Sequence, residues 1–260
     1  MTMELKVIKK EKEKIIFTLN GINPAIANAV RRYVLEQVPT LAIEEVELSR
    51  NDSALYDEMI ALRLGLVPLT TDLKSYNKKE ECKCKGAGCA SCQLVFSFKG
   101  KGPGAVYADA IETKDPKVKP AIPKLPIVKL LKDQEIKAEG IIVLNSGKVH
   151  TKFSPGLVTY RGYPSIKPGK NANIKKAVEE CKGVLVAKGS SVEIKDIMQW
   201  NEAYEEICEK NGLEVEYSDE EFIFTAEAWG QLSIKEMLVE AMKIFDEKLE
   251  EFNKLIKKLK

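Results

Sequence analysis

The chain has 260 residues, 44% of them hydrophobic and 31% charged, enough to bury a sizeable core and too apolar for a disordered tail. Lys+Arg 41 against Asp+Glu 39 leaves a formal charge of +2, so no global field draws the chain to nucleic acid. A single histidine, His150, removes most acid/base and nucleophile-plus-base arrangements.

Arginine is confined to Arg31, Arg32, Arg50, Arg63 and Arg161, and this is the side chain best suited to forked phosphate and guanine contacts, so sequence-specific DNA contact is not expected. No run of about 18 apolar residues occurs, and residues 1–14 lack an apolar signal core; a cytoplasmic protein without membrane contact is expected.

Alternation at Ile15-Ile16-Phe17-Thr18-Leu19, after the charged run 9–14, predicts a hairpin of two early strands. Asn23 is placed to cap a helix whose first position is Pro24, and Ile26, Ala27, Val30 and Val34 keep helical spacing up to Pro39. The face opposite that apolar stripe carries Arg31 and Arg32. Residues 41–48 alternate as a strand. Residues 51–69 read as a charged amphipathic helix closed by Gly65 and Pro68, its period clearest over 57–66.

Beyond the cysteine-bearing loop, short strands broken by Gly and Pro are expected at 94–98, 106–111, 127–131, 136–144 and 157–160. Residues 164–218 change composition and read as a small inserted subdomain, with a helix over 197–210 that includes Trp200, Tyr204 and Ile207. Residues 222–226 form a returning strand.

The last 28 residues carry the clearest helical pattern. Ser233 with Glu236 makes a capping box, and Leu238, Met242, Phe245, Leu249, Phe252, Ile256 and Leu259 follow at alternating steps of four and three. They define a narrow apolar seam on a helix roughly 40 Å long. Its first turns can cover the chain's own sheet; the end, where Lys254, Lys257, Lys258 and Lys260 surround Leu255, Ile256 and Leu259, calls for a partner helix.

Cys82, Cys84, Cys89 and Cys92 are spaced Cys-x-Cys-x4-Cys-x2-Cys, with Gly86, Gly88 and Ser91 between them. Four thiolates can close all positions of one tetrahedral Zn2+, leaving none for substrate, so a structural site is expected. Two disulfides, an empty loop or an iron–sulfur cluster are the alternatives. Cys181 and Cys208 stand apart; a pair of buried thiols is the first reading and a disulfide the second.

Several segments together resemble the D-type, alpha-like assembly subunits of archaeal DNA-directed RNA polymerase, a family whose bacterial counterpart is the alpha subunit. They are Phe17-Thr18-Leu19, residues 27–32 and 39–43, Asn51 and Ser53, Asp57-Glu58, Arg63-Leu64-Gly65-Leu66-Val67-Pro68-Leu69, the cysteine loop, residues 149–155 and residues 222–230. The order of these segments is specific where no single one is. The resemblance implies an α+β fold with a discontinuous dimerisation domain, an antiparallel sheet plus long helices, at 1–45 and 219–260. It also implies a mainly β insertion domain at 46–163, with its metal loop at 80–93, and a degenerate ferredoxin-like subdomain at 164–218.

The same resemblance implies a non-catalytic assembly subunit, an enzyme component only as part of the polymerase. Phe17, Leu19, Ile26, Val30, Val34 and the seam from Leu238 to Leu259 would meet the small subunit L. Arg31 and Arg32 would face the second-largest and largest subunits, and other small subunits are further expected partners. Some relatives hold iron–sulfur clusters in the region matching 164–218; with only Cys181 and Cys208 there, none is expected in this chain.

Two other classes compete with this reading. One is a free-standing zinc-containing factor that binds nucleic acid or protein through Lys78, Lys79, Lys83 and Lys85. The other is an enzyme using Asp57 and Glu58, but adjacent helical residues point about 100° apart and do not converge on one atom.

Overall fold

The computed structural model describes residues 2–259 and is a mixed, sheet-rich α/β protein. The chain divides into two compact units. The first comprises Met1–Ile8, Ile16–Ala27 and Tyr160–Phe224; the second comprises Lys9–Ile15, Asn28–Thr159 and Thr225–Lys260.

In the first unit, strands β1 (Glu4–Lys10), β2 (Lys14–Asn20), β12 (Leu213–Ala228) and β9 (Gly156–Pro168) pair in the order β1-β2-β12-β9. Phe17 stacks on Phe224 at 5.2 Å, and Tyr160 packs against Phe222 and Phe224 at 5.7 and 5.6 Å. Burying these rings on one sheet face is the main apolar gain of the sheet. Asn23 accepts the Ile26 N–H at 2.9 Å, so α1 (Pro24–Arg32) starts where its cap and proline demand.

The rest of this unit is a small helix-and-hairpin layer: α3 (Ile174–Glu180), β10 (Leu185–Lys188) paired antiparallel with β11 (Ser191–Ile194), and α4 (Glu202–Lys210). Ala177, Cys181, Val184, Trp200, Cys208 and Leu213 form its core. The expected helix over 197–210 begins only at Glu202. Asn201 caps it by accepting the Ala203 N–H at 3.0 Å, and Ile197 and Trp200 instead offer their carbonyls to Arg161, both at 3.1 Å. Apolar residues buried from a loop mimic helical spacing here.

The second unit is built on a sheet of order β3-β8-β4-β6, with β3 Pro39–Asn51, β8 Glu135–Ser146, β4 Gln93–Lys101 and β6 Ile111–Thr113. All its pairings are antiparallel; Leu41 lies opposite Leu144 and Ile43 opposite Ile142. A bulge between Ile43 and Glu45 brings the Glu45 carbonyl over Gly140, where a Cβ would come within 1.9 Å of the oxygen, so only glycine fits. A second pair, β5 (Gly104–Tyr107) with β7 (Pro126–Leu130), and α2 (Asp57–Gly65) close the core around Phe96, Phe98, Ile60 and Leu64.

The helix expected over 51–69 is confined to Asp57–Gly65. Asn51 first makes a local turn, accepting the Ser53 N–H at 3.1 Å and donating to the Leu55 carbonyl at 2.8 Å and the Asp57 carboxylate at 2.7 Å. The strand expected over 106–111 is broken by a 3-10 turn at Ala108–Ala110.

The helix expected to run to Pro39 leaves α geometry at Arg32 and continues as a π turn, Tyr33–Gln37, closed by Val38 N–H to the Tyr33 carbonyl at 3.2 Å. The ring of Pro39 pushes Val38 out of the α region, to ψ 121°, and the last turn widens to keep its bond.

The final helix, α5 (Ile234–Ile256), has the predicted capping box: Ser233 Oγ accepts the Glu236 N–H at 3.3 Å, and Glu236 accepts the Ser233 N–H at 2.9 Å. Its home-facing stripe is Ile234, Met237 and Ala241, not the seam read from the sequence. That seam lies one residue round the helix.

Candidate metal centre and interface surfaces

The cysteine loop is shaped by its backbone before any metal is considered. Lys85, Gly86 and Gly88 take φ of 54°, 85° and 84°, folding the loop back on itself. Lys85 N–H bonds the Cys82 carbonyl and Cys92 N–H the Cys89 carbonyl, both at 2.9 Å, while Cys89 N–H donates to Cys92 Sγ at 3.3 Å. Asn77 N–H to the Ser91 carbonyl, at 2.8 Å, ties the two ends of the loop together just before β4.

These turns bring all four sulphurs within 4.8 Å of one another. Cys82 and Cys89 are 3.5 Å apart, Cys84 and Cys92 3.6 Å, and Cys89 and Cys92 3.9 Å. A tetrahedron of thiolates at metal–sulphur distances of about 2.3 Å has edges near 3.8 Å, so the set fits one such ion. Cys82 and Cys92 are buried, and Cys84 and Cys89 half-buried. Hydrogen bonding from the Cys82 thiol, with Cys92, the Gly88 amide and Cys89, lowers Cys84 to about 6, toward the thiolate a metal needs.

Arg31 spends its Nε and Nη2 on Asn28 Oδ1, at 3.1 and 2.9 Å. Arg32 forms a forked pair with Glu36 one turn on, at 3.2 and 3.1 Å, and its side chain remains largely in solvent. Of the residues expected to meet a small partner, Phe17, Leu19 and Val34 are buried in the chain's own interior and have no free surface to give. Ile26, Val30, Leu238, Met242 and Phe245 are half-buried, Phe245 lying edge-on to Tyr33 at 4.9 Å. Leu249, Phe252, Ile256 and Leu259 are open, at 45%, 60%, 46% and 84%.

Cys181 and Cys208 are free thiols, both fully buried in the small core of the first unit. Burial pushes Cys208 up to about 12, which keeps it protonated. His150 is exposed and structural: it caps a 3-10 turn by accepting the Lys152 N–H at 3.1 Å. Arg63 donates to the Ile127 carbonyl at 2.7 Å, holding α2 to β7. The outward face of α2, where Met59 and Leu62 are exposed, is not foreseen from the sequence; their spacing with Leu66 is legible there but reads as core.

Residues 43–157, which contain most of β3, all of α2, the cysteine loop and β4 to β8, match the RNA polymerase Rpb3/RpoA insert domain. Over its whole length the chain is 34% identical to DNA-directed RNA polymerase subunit Rpo3 of Methanosarcina acetivorans, covering 100% of both chains. Identity to Rpo3 of Archaeoglobus fulgidus is again 34%, with 100% of both chains covered. The chain belongs to the Rpo3 family. Rpo3 of Pyrococcus furiosus is 32% identical over 99% of this chain and 98% of the relative. For the Rpo3 family, an alpha-like component of a larger enzyme, interface surfaces matter more than a reactive centre. No helix among the described residues is long and apolar enough to cross a membrane.

Proposed function

We propose that this chain is the non-catalytic assembly subunit of a DNA-directed RNA polymerase, pairing with the small subunit L through α5 and forming with it the platform on which the two large subunits assemble. The observation that carries the reading is the open end of α5: Leu249, Phe252 and Ile256 run along one stripe and keep about half their surface in solvent, with Leu259 exposed just beyond the helix end. A helical stripe of that spacing is stabilised only when a second apolar surface covers it. Phe245, one turn before Leu249 and half-buried, extends the stripe.

In this reading, residues 1–45 and 219–260 form the dimerisation domain, 46–163 the insertion domain and 164–218 an inserted subdomain of ferredoxin-like ancestry without a cluster. Arg31 and Arg32 serve the large subunits: both guanidiniums are held only by local partners, Asn28 and Glu36, which a carboxylate on a neighbouring subunit can displace. Zinc on Cys82, Cys84, Cys89 and Cys92 fixes a loop that has little core of its own. The setting is the archaeal cytoplasm.

Coexpression with an archaeal subunit L tests the reading. The expected product is a one-to-one complex that joins an assembly of several subunits in cell extract. A stable monomer that ignores subunit L refutes it.

A further inference from the structure

The chain holds two asparagine–glycine pairs, Asn20-Gly21 and Asn211-Gly212, and both lie in the first unit. A glycine has no side chain to shield its backbone nitrogen from the asparagine before it. At the end of β2 that approach is already made: the Gly21 N–H lies against Oδ1 of Asn20 at 2.7 Å. Asn20 is exposed, so its side chain can turn and water can reach it. Gly21 sits at φ +79°, and a Cβ there would come within 2.9 Å of the Thr2 carbonyl oxygen, so the turn admits no bulkier residue to cover the nitrogen. The same N–H is shared with the Glu220 carbonyl at 3.0 Å, and Glu220 is itself exposed, so local opening frees the nitrogen.

The second pair is guarded. Asn211 is 7% exposed, and its Nδ2 donates to the Glu180 carboxylate at 2.8 Å and to the Ile207 carbonyl at 2.9 Å. Its own carbonyl accepts the Asn173 N–H at 2.8 Å, and the Gly212 N–H is spent on the Glu209 carbonyl at 2.9 Å. These bonds and the burial must be given up before the Asn211 side chain can meet the Gly212 nitrogen.

We infer that Asn20 is a site of spontaneous covalent modification, where the side-chain amide is lost to water through a ring formed with Gly21, and that Asn211 is spared. Hydroxide removes the Gly21 N–H proton, and the nitrogen attacks Asn20 Cγ. The N–Cγ bond forms as the Cγ–Nδ2 bond breaks, and Nδ2 leaves as ammonia with a proton from water. Water then opens the cyclic imide at either carbonyl. Opening at Cγ leaves an aspartate; opening at the main-chain carbonyl leaves an isoaspartate, whose backbone runs through Cγ and is longer by a carbon. The net change is a water taken up and an ammonia released. The added carbon falls just before Gly21 and Ile22, whose N–H groups both donate to the Glu220 carbonyl, at 3.0 and 3.3 Å, and Ile22 is buried. The longer backbone therefore loosens the turn that leads into α1.

The test ages the purified full chain at mildly alkaline pH, folded and in denaturant, and maps its peptides by mass spectrometry, with an isoaspartyl methyltransferase to mark the rearranged product. In denaturant the two pairs are expected to convert at similar rates, since only the local sequence acts there. In the folded chain Asn20 is expected to convert at least roughly tenfold faster than Asn211, the difference made by the bonds that hold the buried side chain. Amide exchange at Ile22 is expected to quicken in the aged chain and not in aged Asn20→Gln, whose side chain closes a ring far less readily. Asn20 keeping its amide in the folded chain while the denatured chain loses it overturns the inference, as do equal rates at the two pairs when folded. Aspartate without isoaspartate overturns the route through Gly21.

Discussion

Replacing Leu249 and Phe252 together by serine separates the side of α5 that holds this chain together from the side that holds a partner. Both side chains keep about half their surface in water, at 45% and 60%, so the isolated chain is expected to melt within about 0.5 kcal/mol of wild type. Full burial of such a side chain is worth about 1.5–3 kcal/mol, and covering the open half contributes about 1 kcal/mol at each position. Losing both weakens the complex by about 2 kcal/mol, roughly thirtyfold in Kd. Met237, fully buried on the adjacent stripe, gives the reverse: Met237→Ala costs about 2–5 kcal/mol of stability and leaves Kd for the folded fraction unchanged. Titration calorimetry with subunit L, beside thermal melts of the free chain, reads both numbers. If the serine pair binds like wild type, or loses stability like Met237→Ala, the assignment of the two stripes is wrong.

Three further outcomes are expected. Elemental analysis of the native protein is expected to find one zinc per chain, and chelation to raise amide exchange over 82–92 while the β4–β8 pairing keeps its protection; full protection of the loop after metal removal would contradict a structural role. The Lys117 ammonium, with the Lys74 amide and the Ser75 hydroxyl, holds the Asp72 carboxyl down from 3.8 to about 2; because the folded value is depressed, its contribution is whole above pH 4 and is lost as pH falls toward 2. Asp72→Asn is therefore expected to flatten that part of the melting temperature against pH curve, and an unchanged slope would count against the ion pair. Ser233→Ala removes the capping box and is expected to cost about 1 kcal/mol by denaturant titration, with no loss pointing to a frayed first turn.

Features that depend on neighbours in sequence are legible without the structure. Asn23 before Pro24, Ser233 before Glu236 and the four closely spaced cysteines each act through bonds a few residues long, and each occurs where the spacing puts it. Features set by distant contacts are not. On α5, the stripes through Met237 and Leu238 are one residue apart and both apolar over the first turns, and only the contacts of the folded unit decide that Ile234, Met237 and Ala241 turn inward. In the segment before α4, Ile197 and Trp200 look helical because burial, not periodicity, selects their type. The π turn after Arg32 is hidden for another reason: the sequence marks Pro39 as a stop, but not how the preceding turn adjusts to it.

The α2 segment shows why a scaffold protein is hard to read from its pattern alone. Its charged ends, Asp57, Glu58 and Arg63, suggest a solvated face opposite a core, yet Arg63 is used to hold the Ile127 carbonyl and Asp57 to receive Asn51. Beside these exposed charges, solvent also meets Met59, Leu62 and Leu66, the side chains water covers least well. A free-standing protein would gain by exchanging these for polar residues, since nothing in its own fold needs them. Their presence makes sense for a chain that is finished only inside a larger body, and the α5 stripe makes the same argument from a separate part of the second unit.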